Sequence, residues 1–375
     1  MTGDSAGTRR LRVLHVVEDL GTGGLEKVIY SLITGMDAAR FESSAWCLAR
    51  GGAIAEQLAR EGRPVRIFDM SESPTPGFIF RLAGALRSGG FDIVHTHGYT
   101  AATVGRVAAV LARVPVVFAH VHSTYYGFTS RQRAIDRFLA RFSDRVICCS
   151  EAVRSFVVSD EGIAPEKTTV IYNAVQPPSQ ILPDPALRAR LGIGDETVIG
   201  CVASLSPHKG HRYLLEAAAG LLRSGRNIKV LLAGDGTERA ALEAQARTLG
   251  ITDNVVFAGR VENVWPYLAL TDVFVLPSSE REGLGISLVE ALFASRRVAA
   301  SDIGGIPEVV KDGETGLLVK PRDAAALRSS IEWLLDNPEK GAQMAAAGAR
   351  FAAERFGHAA IMNSYAGLYL AAVQR

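Results

Sequence analysis

The sequence predicts an α/β protein built from two doubly wound parallel-sheet domains that face each other across a deep cleft. Three observations lead there. Short apolar runs rich in Val, Ile and Leu alternate with helical patterns through the whole chain, as parallel strands joined by crossover helices require. A proline-rich break, AVQPPSQILPDPALRARLG, divides these runs into two sets. At 375 residues, the chain is long enough for two or three domains of roughly 150 residues each.

The first set of strand candidates is LRVLHVV (11–17), SSAWCL (43–48), PVRIF (64–68), FDIVHTH (91–97), PVVFAHVH (115–122), RVICCS (145–150) and TTVIYN (168–173). The second is TVIGCVAS (197–204), IKVLLAG (228–234), NVVFAG (254–259), DVFVLPS (272–278), RRVAAS (296–301) and GLLV (316–319). A helical tail runs from about Asp323, broken near Asn337-Pro338 and Phe356-Gly357. The expected organisation is therefore an amino-terminal domain over 1–178 and a second domain over 179–357. A terminal helix over 358–375 is expected to pack back towards the first domain.

Apolar residues make up 48% and charged residues 21%, the balance of a globular rather than a disordered chain. A formal net charge of +2 gives no bulk attraction to nucleic acid. The start, MTGDSAGTRR, is polar and fits neither a signal nor a transit peptide, and no stretch of ~20 apolar residues could span a bilayer. Cys148 and Cys149 sit in an apolar run, as small buried hydrophobes do. With no C-x2-C spacing among the four cysteines, reduced thiols and a cytoplasmic setting are expected.

In open α/β sheets ligands sit beyond the carboxyl ends of the strands, so strand-to-helix loops carry the chemistry. EDLGTGGLEKV (18–28) places Gly21, Gly23 and Gly24 there, either a tight turn or a close approach of backbone to an anion. His95, His97, His120 and His122, half of the chain's eight histidines, end two successive strands. No acid lies beside them to complete a metal site, so no metal is expected. VASLSPHKGH (202–211) puts Lys209 at a helix start, where its charge either meets solvent or completes an anion site. LLAGDGTERAAL (231–242) supplies Gly234-Asp235-Gly236, and FAGRV (257–261) puts Arg260 and Val261 just past a strand.

SSEREGLGISLVEAL (278–292) is the most informative stretch. A strand exits through SEREG, and a helix begins near Gly285 with Ile286, Val289, Leu292 and Phe293 at core spacing. Glu290 falls in that stripe, and a buried carboxylate needs partners; the two hydroxyls of a ribose would serve. Glu282 precedes the helix, and the N–H groups of Leu284 and Gly285 lie between the two acids. Acid, anion hole and acid in line match sugar, diphosphate and ribose. The alternative is that both acids complement the helix dipole or pair with Arg281 and Arg296. SDIGGIPEVVKDGETGLLV (301–319) adds Gly304-Gly305 and a Pro307-Glu308 helix start.

Together these segments resemble the family 4 retaining glycosyltransferases of the GT-B fold. GDGTERAAL, FAGRV, DVFVLPS, EGLGISLVEAL, SDIGGIPEVV and DGETGLLV look like that family's consensus in its order and spacing. The resemblance implies metal-independent transfer from a UDP- or GDP-sugar, with no cofactor, to an acceptor glycan, lipid or small molecule. It assigns Glu282 to the donor sugar's hydroxyls and Glu290 to the ribose. Leu284 and Gly285, with Gly283 beside them, fall to the diphosphate, together with Lys209 as its cationic clamp. His122 is placed near the reacting carbon, and Gly23 and Gly24 in the loop that closes on donor and acceptor. Arg260 and Val261 fall on the donor side, His97 and Gly24 on the acceptor side. The expected catalytic residues are His122, Lys209 and Glu282.

One position departs from the pattern. Where the family carries an arginine five residues before the lysine, this chain has Ser204. Arg260 or Arg212 could substitute, donor binding could be weaker, or activity could be lost. A catalytically inactive domain that activates a partner transferase is accordingly the alternative reading. An NAD-dependent dehydrogenase fits less well, because the first strand is not followed by G-x-G-x-x-G. No D-x-D occurs, in keeping with cleavage that needs no cation. Finally, STYYGFTSRQRAIDRFLARFSDR (123–145) sets Arg131, Arg133, Arg137, Arg141 and Arg145 against Asp136 and Asp144, with Ile135, Phe138, Leu139 and Phe142 as its apolar face. It reads either as an ordinary surface helix or as a peripheral contact with anionic lipid.

Overall fold

The computed structural model describes residues 9–70, 74–124 and 128–374. Most of the polar start and Tyr125-Tyr126-Gly127 of the basic segment lie outside the described residues. All thirteen strand candidates form strands. They are β1 (Leu11–Asp19), β2 (Phe41–Arg50), β3 (Val65–Ile67), β4 (Ile93–His97), β5 (Val116–Val121), β6 (Arg145–Cys148) and β7 (Thr168–Val170). The second set is β8 (Thr197–Val202), β9 (Ile228–Ala233), β10 (Val255–Gly259), β11 (Val273–Leu276), β12 (Arg297–Ser301) and β13 (Leu317–Val319).

Two compact units result. The described residues of Met1–Ala174 and His358–Arg375 form the first, and Val175–Gly357 form the second. Each holds one parallel sheet, ordered β3-β2-β1-β4-β5-β6-β7 in the first and β10-β9-β8-β11-β12-β13 in the second. Burial on both faces explains the near-continuous apolar composition of the central strands; Val13, Leu14, Val16, Ile93, Val94, Val273, Phe274 and Val275 are all fully buried. Local chemistry starts the helices. Thr75, Ser150 and Asp323 accept the first free N–H groups of Pro76–Gly89, Glu151–Ser159 and Ala324–Asp336, and Thr129 forms a capping box with Gln132.

In both sheets the strand order turns back on itself, between β1 and β4 in the first unit and between β8 and β11 in the second. At such a switch point neighbouring strands send their exit loops to opposite faces and leave a crevice between them. Within the second unit, Val175 N donates to Phe356 O at 3.0 Å, so the two ends of that unit are tied together. All four cysteines are buried and free. The helix Ser130–Ala140 departs from the expected apolar face: Leu139 is buried, whereas Phe138 and Phe142 stand in solvent, 53% and 47% exposed. Helix Ile286–Phe293 also shifts its core stripe, burying Leu288, Val289, Ala291 and Leu292 and leaving Ile286 and Phe293 half-buried.

Candidate functional site

At the second unit's switch point, two exit loops meet through side chains and backbone together. Lys209 closes the short 3₁₀ turn Pro207–Lys209 that follows β8. Its Nζ donates to Glu282 Oε2 at 2.6 Å, and Ser278 Oγ donates to the same oxygen at 2.9 Å. Both charges are largely withdrawn from water, so this pair is held more firmly than a surface ion pair. Ser279 N donates to His208 O at 2.7 Å, locking the β8 exit loop onto that of β11.

The glycines have a structural reason here. Gly304, after β12, has φ +57°, and a Cβ on it would run into the carbonyl of Glu282. Gly305 N donates to that carbonyl at 3.1 Å. The double glycine thus lets the β12 loop press backbone against backbone behind Glu282 and set its position. Gly210 does the same for Lys209, because a Cβ there would meet the carbonyl of Pro277.

Gly283 and Leu284 are buried, and Gly285 caps the following helix in the left-handed region at φ +84°. Leu288 N and Val289 N donate to Gly285 O, which leaves the N–H groups at the helix start outside its ladder and directed along the positive end of its dipole. Glu290, 7% exposed, lies further along the same helix, and Glu282 is 8% exposed. The Arg296 guanidinium donates to the carbonyls of Ala294 and Thr271. Lys209, Glu282 and the start of helix Ile286–Phe293 thus belong to adjoining exit loops, with Glu290 further along that helix. A cation beside a helix start is a means of holding an anion.

Ser204 is exposed, and its hydroxyl lies 3.1 Å from Ser206 Oγ. Arg260 and Arg212 are exposed as well. Arg260 and Val261 follow β10, which is separated from β8 by β9, an offset of about 9–10 Å across the sheet.

In the first unit, Gly23 and Gly24 open the helix Gly24–Gly35 after β1. His95 and His97 of β4, His120 of β5 and His122 just past it come together with a fifth, His15 of β1, into one cluster. His15 Nδ1 lies 3.0 Å from His97 Nε2, and His97 Nδ1 lies 3.1 Å from His122 Nε2. His95 Nδ1 bonds Tyr369 OH at 2.6 Å, and His120 stacks on His122 at 3.7 Å between ring centroids. Burial pushes the His15 and His122 imidazoles down to about 3 and those of His95, His97 and His120 well below their ordinary value. All five are neutral at physiological pH. His15, His95 and His97, or His97, His120 and His122, bring ring nitrogens within 4.8 Å of one another, close enough to hold a metal ion. Each set is all imidazole, so a dication there would keep its full charge in apolar surroundings. His15 and Tyr369 were not anticipated. The one signal for His15 was a polar residue inside an apolar strand run.

Comparison with known proteins places these features in context. The model of the glycosyl transferases group 1 family matches residues 184–351, and that of glycosyltransferase family 4 matches residues 22–177. The 2-deoxystreptamine glucosyltransferase of Streptomyces kanamyceticus is 31% identical, covering 75% of this chain and 76% of that protein. The D-inositol 3-phosphate glycosyltransferase of Streptomyces scabiei is 30% identical over 99% of this chain and 88% of its own length. Among solved structures, Anabaena HepE in complex with UDP superposes with a TM-score of 0.84 at 25% identity, covering 96% of this chain and all of that one.

Proposed function

The chain belongs to the family 4, group 1 glycosyltransferases and is a nucleotide-sugar-dependent transferase of the GT-B fold, and from that premise we propose retaining, metal-independent transfer from a UDP- or GDP-sugar to an acceptor hydroxyl. Glu290 holds the ribose, Lys209 with the Leu284 and Gly285 amides holds the diphosphate, and Glu282 accepts from the sugar's hydroxyls. His122 serves the sugar near its reacting carbon. Gly23 and Gly24 belong to the loop that closes on donor and acceptor, and the acceptor is a glycan, a lipid or a small molecule.

The observation that carries this reading is the Lys209–Glu282 pair at the switch point. Without donor, each charge neutralises the other. A diphosphate draws Lys209 towards itself and frees Glu282 oxygens for the sugar, so both residues gain their ligands in one exchange. The acceptor oxygen then attacks the anomeric carbon from the face the phosphate leaves. The carbon–oxygen bond to the diphosphate breaks, and the acceptor's proton passes to the departing phosphate oxygen. Lys209 and the helix-start amides stabilise the growing charge, the part a cation would otherwise play.

A peripheral membrane contact is a second part of the proposal. Among the described residues no helix is long and apolar enough to cross a membrane. On Ser130–Ala140, Asp136 turns inward to pair with buried Arg106, while Arg131, Arg133, Arg137 and the following Arg141 are exposed, as are Phe138 and Phe142. Cations around exposed aromatic rings suit an anionic bilayer surface.

The test is a panel of nucleotide sugars against lipid, glycan and small-molecule acceptors in excess EDTA, with the product's anomeric configuration read by NMR. Turnover in EDTA with retained configuration is expected. Inverted product, or activity only with added manganese or magnesium, would refute the mechanism.

A further inference from the structure

Beneath the basic helix Ser130–Ala140 of the first unit, two carboxyl groups face one guanidinium. Asp136 of that helix and Glu161, in the turn after helix Glu151–Ser159, are 7% and 2% exposed. Arg106, on helix Tyr99–Ala112, is 1% exposed; its Nη2 donates to Asp136 Oδ1 and its Nε to Ala102 O at 2.7 Å. Glu161 gains no such partner. Neither of its oxygens meets a hydrogen-bond donor among the described residues, yet its carboxyl lies within hydrogen-bonding reach of that of Asp136. Gly162 shapes this turn at φ +71°, and the Arg137 side chain of the basic helix lies where a Cβ on Gly162 would meet it.

Two ionised carboxylates against one guanidinium would bury a net negative charge and set two like charges side by side. One proton removes both costs. It belongs on Glu161, because Asp136 already accepts from Arg106 and is better left ionised; a protonated Glu161 then donates to Asp136. The cavity that both acids line, with Gly98, Tyr99 and His120, is about 10 Å³, the room of one water molecule, so no larger guest answers Glu161 there. Burial first, then the charge and hydrogen bond of Asp136, push the Glu161 carboxyl up to about 8. The other groups around the pair do not reverse this. Arg133 and Arg137 are exposed to water. Burial keeps His120 neutral, pushes the Cys148 thiol up to about 12 and raises the Tyr99 hydroxyl. Glu151 and Arg154, on the helix before Glu161, pair with each other at 3.4 Å. We propose that Asp136 and Glu161 hold one proton between them, carried by Glu161, and that this bond latches the basic helix onto the unit and releases it as pH rises above neutral. The latch does not depend on the transferase reading or on what the helix meets.

The shared proton is tested by ¹³C NMR titration of the side-chain carboxyl carbons in the full chain labelled at glutamate, with Glu161 assigned by its absence from Glu161→Gln. Its signal should move near pH 8, while exposed glutamates move at about 4–5. Infrared absorption of the unaltered protein should show a protonated carboxyl at about pH 6 that is gone at about pH 9, a reading that needs no variant. A Glu161 carboxylate already ionised at about pH 6 would overturn the proposal. The latch is read by amide hydrogen exchange of Ser130–Ala140 in the unaltered protein and in Glu161→Gln, whose amide N–H can make the same bond to Asp136 without titrating. A carboxyl raised in the folded state stabilises fully below its unfolded value, and that stabilisation is lost as pH rises through the folded one. The ratio of exchange rates, unaltered to variant, should therefore rise by roughly tenfold or more between about pH 6 and about pH 9. A ratio that stays flat would overturn the latch.

Discussion

Lys209 and Glu282, 73 positions apart in sequence, share a 2.6 Å hydrogen bond because β8 and β11 are adjacent in the sheet. In the proposed mechanism this pair holds the cation that the diphosphate takes up. Lys209→Met should therefore weaken UDP binding by about 1.5–3 kcal/mol, the range of a charged hydrogen bond, or about ten- to a hundredfold in Kd. The loss for UMP should be smaller. Calorimetry with both nucleotides checks it; equal losses would place Lys209 away from the second phosphate.

Ser204 is exposed, with its hydroxyl on that of Ser206, and Arg260 starts two strands away. On the proposed reading, a clamp built on Lys209 alone is short of one cation. Ser204→Arg should tighten UDP by roughly 1.5–3 kcal/mol if the guanidinium reaches the phosphates, with a smaller gain for UMP. Flat or weakened affinity for UDP would show that another arginine already fills the place.

Gly304→Ala should destabilise the protein by about 1–3 kcal/mol, from the left-handed backbone and the clash with the Glu282 carbonyl. It should also weaken donor binding, because the loop behind Glu282 must shift. Urea denaturation measures the first effect and calorimetry with a nucleotide sugar the second. Wild-type stability would contradict the close packing.

Much of this was legible in the sequence, and the reasons for the remainder are specific. Strands such as PVVFAHVH and DVFVLPS announce themselves because burial on both faces demands unbroken apolar runs. Gly304-Gly305 could be seen as unusual, but its purpose, a backbone contact behind Glu282, depends on sheet order. The Lys209–Glu282 pair and the His95–Tyr369 bond, 274 positions apart, are set by topology that no local pattern encodes. Phe138 and Phe142 were grouped with Leu139 by helical period, and tertiary packing chose among them.

Vesicles containing anionic lipid should bind the protein, less so as salt rises, since charges more than ~8–10 Å apart are largely screened at physiological ionic strength. Replacing Arg131, Arg133 and Arg137 with glutamate should abolish sedimentation with the vesicles. Unchanged binding in the triple variant would leave this helix a structural role only.

The central claim is the division of labour between the two buried acids, with Glu290 on the ribose and Glu282 on the sugar. Titration calorimetry with free UDP tests it most directly. Glu290→Ala should abolish detectable binding, whereas Glu282→Ala, which removes no nucleotide contact and releases Lys209 for the diphosphate, should bind UDP at least as well as the unaltered protein. Equal losses in the two variants, or the larger loss in Glu282→Ala, would contradict the assignment.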